Sequence, residues 1–204
     1  YRRLAASGVD ELGSRGVYYG ASASAAAQTA GQVVHVVGAA HSAGQAVLNF
    51  ARVADKVVML VRGDSLEASM PEYLIERIAA ADNVQERFRT AGSAAHGTDH
   101  LESVTLVDRD TGAEHDEDTN WLFVFIGALP RTDWLGDAVL RDSLGFLVTG
   151  PDLQLPGHAA AWPLARPPYA LETSLPGVFA AGDVRLDSMK RVASAVGEGA
   201  MSVH

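Results

Sequence analysis

The chain contains no cysteine. That absence excludes disulfides, thiolate metal sites and a dithiol redox centre built from its own residues. Long apolar runs are missing too: no stretch reaches the ~20 residues that a membrane-spanning helix needs, and no signal peptide is visible. Positive charge is scarce. Sixteen lysines and arginines stand against 25 acids, and the net charge of −9 argues against a nucleic-acid backbone as partner. Aromatic residues make up only 7% of the chain, yet an apolar share of 48% over 204 residues suffices for a real core in one large domain or two small ones. The first residue is Tyr1 and not methionine, as expected of a fragment or a processed product.

What is present centres on residues 33–44, Val-Val-His-Val-Val-Gly-Ala-Ala-His-Ser-Ala-Gly. A β-branched run leads into a small-residue turn and then into residues 45–52, which form one apolar helical face. Strand, tight turn and helix are the layout of a dinucleotide site. Gly38 makes the sharp turn, Ala40 sits where the backbone approaches a pyrophosphate, and Ala43 lets helix and strand pack closely. The unpaired N–H groups at the helix start would hold phosphates. The pattern reads Gly-x-Ala-x-x-Ala where Gly-x-Gly-x-x-Gly is usual, and the methyl of Ala40 crowds the diphosphate position. Residues 56–61 read as a second buried parallel strand. It ends in Arg62-Gly63-Asp64-Ser65, and an arginine there suits a 2′-phosphate, hence NADP over NAD. A solvated surface arginine is the alternative. Residues 40–44, Ala-His-Ser-Ala-Gly, also resemble a hydrolase nucleophile elbow. That reading makes Ser42 the nucleophile and His158 or another downstream histidine its base.

The remaining segments are read in the same way. Residues 1–16 form a connector and residues 16–20, Gly-Val-Tyr-Tyr-Gly, a short strand, while residues 21–28 form a loop or short helix. Ser69 caps a helix that begins near Pro71-Glu72. Strands are expected at 84–89, 101–107 and 121–126. Residues 114–118 read as a solvated acidic loop, with a metal site through His115 as the alternative, and His96 and His100 offer a second metal alternative. Residues 178–181 read as a short buried strand ending in Gly182-Asp183-Val184, where Asp183 either accepts hydrogen bonds from a sugar-like hydroxyl chain or caps a helix. Residues 189–202 read as a helix that opens on Lys190-Arg191-Val192.

Taken in order, Gly-Val-Tyr-Tyr-Gly, Val-Val-Gly-Ala-Ala-His-Ser-Ala-Gly-Gln, Val-Arg-Gly-Asp, Phe-Ile-Gly-Ala-Leu-Pro-Arg-Thr, Leu-Pro-Gly-Val-Phe-Ala-Ala-Gly-Asp-Val and Arg-Val-Ala-Ser-Ala-Val-Gly-Glu-Gly span nearly the whole chain. Together they resemble the C-terminal two-thirds of a thioredoxin-reductase-like flavoprotein of the FAD/NAD(P)-dependent pyridine nucleotide-disulfide oxidoreductase family. The resemblance implies a three-layer α/β, Rossmann-like fold, with a NADPH domain at residues 16–119 inserted into an FAD domain. Residues 1–15 and 120–204 would belong to the FAD domain, which is incomplete in this chain. By the same resemblance Gly38, Ala40, Ser42, Ala43 and Arg62 line the NADPH site, and Ile126 and Gly127 lie near the nicotinamide. Gly182 and Asp183 meet the ribityl and phosphate groups of FAD, and Lys190, Arg191 and Val192 lie beside the flavin ring.

Three departures qualify what is implied. The family's Cys-x-x-Cys is replaced by Gly20-Ala21-Ser22-Ala23, so this chain cannot reduce thioredoxin by thiol exchange. Ala40 replaces a glycine, and His41 stands where a smaller polar residue is usual. The half of the FAD domain that carries its own glycine-rich turn is absent. The expected function is that of a cytoplasmic, homodimeric flavoprotein that passes hydride from NADPH to FAD. Electrons would go on to a small-molecule or protein acceptor, with no nucleic-acid or membrane contact. The alternatives are a non-catalytic nucleotide-binding sensor and the Ser42 hydrolase.

Overall fold

A computed structural model describes residues 1–21, 23–158 and 161–203. Ser22, part of the segment that stands in place of the family's cysteine pair, lies outside the described residues. The chain forms two compact units, residues 1–127 and 128–204.

Unit 1 is built on a parallel sheet. Its strands are β1 (Val17–Tyr19), β2 (Val33–Val37), β3 (Lys56–Leu60), β4 (Val84–Arg87) and β8 (Trp121–Val124), in the order β1-β8-β2-β3-β4. The helices are α1 (Ala23–Gln28), α2 (His41–Phe50) and α3 (Glu72–Ala79). An antiparallel sheet of β5 (Thr90–His96), β6 (Ser103–Asp108) and β7 (Glu114–Asp118) completes the unit. Helices, parallel sheet and antiparallel sheet make three layers of a Rossmann-like α/β fold, as the sequence suggested.

The two-residue period of the strands creates two cores. Val34, Val36, Val57, Met59 and Phe123 pack with Phe50, Val47, Leu74 and Ile78 of the helices. Phe50 and Phe123 meet with ring centroids 4.3 Å apart. Val37, Val58, Leu60, Leu122 and Val124 point the other way, onto Leu101, Val104 and Leu106. Val9 and Leu12 are buried in that second core. The first residues are therefore more than a connector: the Ser7 N–H and carbonyl both bond the backbone of β5.

Several expectations need correction. Residues 114–118 form an exposed strand, not a loop, because β6 offers them a pairing edge. Segment 90–96 forms β5 although Thr-Ala-Gly-Ser-Ala-Ala-His carries little strand propensity. The two compact units divide after Gly127, and β8 pairs on both sides inside the parallel sheet of unit 1.

Unit 2 is loop-rich. Residues 178–181 do not form the expected strand: Phe179 makes one isolated bridge to Glu172, and Val178 is exposed. Buried polar bonds help order this unit. Glu172 is wholly buried and accepts from Arg166 Nη1 and Nη2 (both 2.8 Å), Tyr169 N (2.9 Å) and Gly177 N (2.8 Å). These bonds, led by Arg166, hold its carboxyl down to about 2. The Arg166 guanidinium also lies over the Tyr169 and Trp162 rings, at 4.4 and 5.2 Å. Helix α4 spans Val192–Met201 and buries none of its residues.

Candidate functional site

The strand order reverses at β2, with β3 on one side and β8 on the other. At such a reversal the loops leaving the strands' carboxyl ends diverge and leave a crevice. Here it measures about 400 Å³ and is lined by residues 37–40, 60–65 and 125–127, with Ala68 and Ser69. Gly38, Ala40, Arg62, Ile126 and Gly127 are thus brought together.

The turn after β2 is pinned from both neighbours. Gly38 N–H donates to the Leu60 carbonyl (3.1 Å), and Phe125 N–H donates to the Val37 carbonyl (2.7 Å). Gly38 has φ +142°, where only glycine is comfortable, and a β-carbon there would strike the Phe125 carbonyl oxygen and press on Ala43. Ala43 is fully buried and serves close packing, away from the crevice lining. Ala40 is the N-cap of α2 and has no side-chain acceptor to offer. Helical geometry leaves the N–H groups of residues 41–43 without intrahelical partners, at the positive end of the dipole. The cradle therefore suits an external anion.

Ser69 was expected to cap α3. Instead Pro71 is the N-cap, and the Ser69 hydroxyl donates to the Ala39 carbonyl at 2.8 Å. This contact braces the glycine turn from 30 residues away, and nothing local in the sequence announces it. Ser42 is exposed in the first turn of α2 and lines no part of the crevice. Among the described residues of unit 1, no histidine is hydrogen-bonded to Ser42 as the hydrolase reading requires. His41 is hydrogen-bonded to the Tyr73 hydroxyl (3.1 Å) and to Gln45 (3.4 Å), and not to Ser42. His158 Nδ1 is bonded to the Asp152 carbonyl (3.0 Å).

Beneath the cradle lies a polar group that the sequence did not flag. His35, on the central strand, is fully buried, and its Nε2 meets Glu117 Oε2 of β7 at 3.0 Å. With the carboxylate as acceptor, the proton belongs on Nε2. Nδ1 has no partner among the described residues. Arg87 Nη1 and His115 Nε2 both approach Glu117 Oε1. Burial pushes the His35 pKa below its ordinary 6.5, although Glu117 opposes the shift. Burial works against ionised Glu117, but His35 and Arg87 outweigh it and hold the carboxyl below 4.5.

The signs of these shifts add. Unfolded His35 takes up a proton near 6.5 that folded His35 refuses, so stability is complete above that pH and falls below it. The stabilisation from Glu117 is present above 4.5 and is lost as pH falls through its depressed value. The urea midpoint of unit 1 is expected to drop between pH 7 and pH 5. In His35→Gln, which keeps a donor but cannot titrate, the slope should flatten. An unchanged slope would assign the acid sensitivity to other groups.

The other expected site residues lie in unit 2. Gly182 sits at φ +78° in a 3₁₀ turn (Gly182–Val184), where a β-carbon would press on Ala195 at 3.1 Å. Its N–H donates to Glu198 Oε2 (2.6 Å), and Arg185 grips the same carboxylate at 2.6 and 3.1 Å. Asp183 is exposed and makes no hydrogen bond among the described residues, so it is not a helix cap. Helix α4 starts two residues later than the Lys190 start expected. Arg191 is extended at φ −134°, ψ 142° as its N-cap, and Lys190 Nζ sits 4.5 Å from the Phe146 ring centroid. Val192, the first helical residue, is 82% exposed.

Comparison with known proteins follows the same line. The family model for pyridine nucleotide-disulphide oxidoreductases matches residues 1–199. A thioredoxin reductase from Treponema pallidum is 31% identical over 204 residues, 100% of this chain and 59% of that protein. Among solved structures, thioredoxin reductase from Streptococcus pyogenes superposes with TM-score 0.67 at 29% identity, covering 99% of this chain and 60% of that one. The Lactococcus lactis thioredoxin reductase superposes with TM-score 0.78 at 24% identity, covering 98% of this chain and 59% of the other, which speaks to fold alone. The chain therefore spans somewhat over half the length of the relatives it matches. No described helix is long and apolar enough to cross a membrane.

Proposed function

Because the chain belongs to the pyridine nucleotide-disulphide oxidoreductase family, we propose that it serves hydride transfer from NADPH to FAD and contributes no dithiol of its own. One observation carries the reading. The crevice at the strand reversal combines a glycine turn, an uncapped helix start and Arg62 at the end of β3.

The nicotinamide supplies the hydride and the flavin accepts it when both are bound; the chain's own residues bind and orient. Residues 41–43 present N–H groups to the diphosphate, and Gly38 lets the backbone come close. Arg62 has no ion pair among the described residues and faces the ribose 2′-phosphate. Phe125, Ile126 and Gly127 line the part of the crevice assigned to the nicotinamide. In unit 2, Gly182 offers a tight turn in which a β-carbon would press on Ala195, and Asp183 a carboxylate with no hydrogen bond among the described residues, available to the ribityl hydroxyls. Ordering of these groups before binding is the chain's contribution to rate. Lys190 and Arg191 offer positive charge to the reduced flavin. In this reading unit 1 is the NADPH domain and unit 2 the C-terminal part of the FAD domain. We infer a homodimer in the cytoplasm whose electron acceptor is a small molecule or a protein, reached without thiols from this chain.

A second reading, a nucleotide sensor without turnover, is favoured by Ala40 at the diphosphate approach and by the absent cysteines. Purified full-length protein separates the two. Flavin absorbance that bleaches anaerobically on adding NADPH supports hydride transfer, and colour without bleaching supports the sensor. Asp183→Ala should lower flavin content, and unchanged occupancy would remove Asp183 from the site.

A further inference from the structure

The carboxyl end of β3 opens onto a second crevice of about 370 Å³. It shares Arg62, Gly63 and Asp64 with the first and adds Arg89, Arg109 and Asp110. Turns far apart in sequence meet here. Arg89 N–H donates to the Gly63 carbonyl (2.8 Å), and Arg109 N–H donates to the Arg89 carbonyl (2.8 Å). Arg109 Nη1 donates to the Arg62 carbonyl (3.0 Å). The turn between β6 and β7 is itself braced. Asp108 Oδ1 accepts from Asp110 N (2.9 Å), Thr111 N (2.8 Å) and Thr111 Oγ1 (3.0 Å). Arg109 therefore projects from a held backbone.

The charges are distributed unevenly. Arg89 is occupied by Asp110 at 2.8 Å and Asp64 at 3.8 Å. Arg62 and Arg109 form no ion pair among the described residues. A chain of net charge −9 thus gathers two unpaired guanidinium groups on one crevice, although its acids outnumber its bases. Guanidinium forks match phosphate oxygens, and a dianion shared by two of them removes their mutual repulsion.

We propose that Arg109, delivered by the β6–β7 turn, joins Arg62 in binding the 2′-phosphate of the adenosine ribose. A hairpin outside the parallel sheet then sets the preference for NADPH over NADH. The inference rests on the nucleotide reading of the crevice and goes beyond it by assigning discrimination to a pair of arginines from separate layers.

Isothermal titration of the full-length protein with 2′,5′-ADP and with 5′-AMP tests it. Wild type is expected to prefer 2′,5′-ADP. Arg109→Ala should weaken 2′,5′-ADP roughly tenfold, the scale of one lost charge-assisted hydrogen bond, and leave 5′-AMP unchanged. Arg109→Lys keeps the charge without the fork and should fall between. Equal weakening of both probes would mark Arg109 as a support for the turn and overturn the proposal, as would no change in either. If wild type binds neither probe nor NADPH, the nucleotide reading itself fails and the inference falls with it. Binding of both probes without preference overturns the inference alone.

Discussion

Gly38→Ala is expected to destabilise unit 1 and abolish NADPH binding together. The backbone angle of +142° costs an L-residue about 1–3 kcal/mol by itself. The added methyl must also displace the Phe125 carbonyl, which belongs to the loop held against β2. A domain has only about 5–15 kcal/mol in hand, so the combined loss is a large share of its stability. Relief comes only by opening the turn, and that moves the phosphate-facing N–H groups of α2 away from the crevice. Urea unfolding and nucleotide titration on one sample check both parts. A variant with the wild-type midpoint and affinity would show that the turn tolerates a side chain and is not the tight cradle described.

Arg62→Ala is expected to lower NADPH affinity about 10- to 100-fold while NADH affinity barely changes. The range follows from the roughly 1.5–3 kcal/mol typical of hydrogen bonds to a charged group. The crevice floor stays intact in this variant, because the Arg62 carbonyl, and not its side chain, anchors Arg109. Paired titrations with the two cofactors give the answer. Equal loss for both would deny Arg62 a role at the 2′-phosphate and return it to the solvated surface.

The segment from β2 to β3 was legible because its information is local. Alternating valines, a glycine that must turn and a helix with one apolar face agree with each other before any tertiary contact forms. The elements that sequence reasoning missed are those made by partners. Strand β5 is weak in propensity and forms because β6 lies beside it and Ser7 bonds it from the other side. The acidic β7 reads as solvated loop, and four of its five residues are exposed, yet Glu117 turns inward to His35. At 178–181 an apolar run suggested a buried strand, but among the described residues its pairing is the isolated bridge from Phe179 to Glu172. The site divides in the same way. Gly38, Ala40 and Arg62 follow from a pattern within 30 residues, whereas Ser69 and Arg109 arrive from distant turns and carry no motif of their own. Lys190 and Arg191 were read inside a helix that starts only at Val192, since helix ends are the least local part of a periodic pattern.

Ala40 has one more implication, for how this protein can change. A serine or aspartate at a helix N-cap typically adds about 1 kcal/mol, because its side chain satisfies the exposed N–H groups. Helix α2 forgoes that gain and leaves the seat open. Random mutagenesis scored only on heat tolerance would therefore favour polar replacements at this position, and aspartate most of all would set a fixed negative charge where the cofactor's own must land. Robustness and ligand capture compete for the same few amide hydrogens, so lineages selected for durability alone would drift toward well-folded proteins that no longer hold their nucleotide.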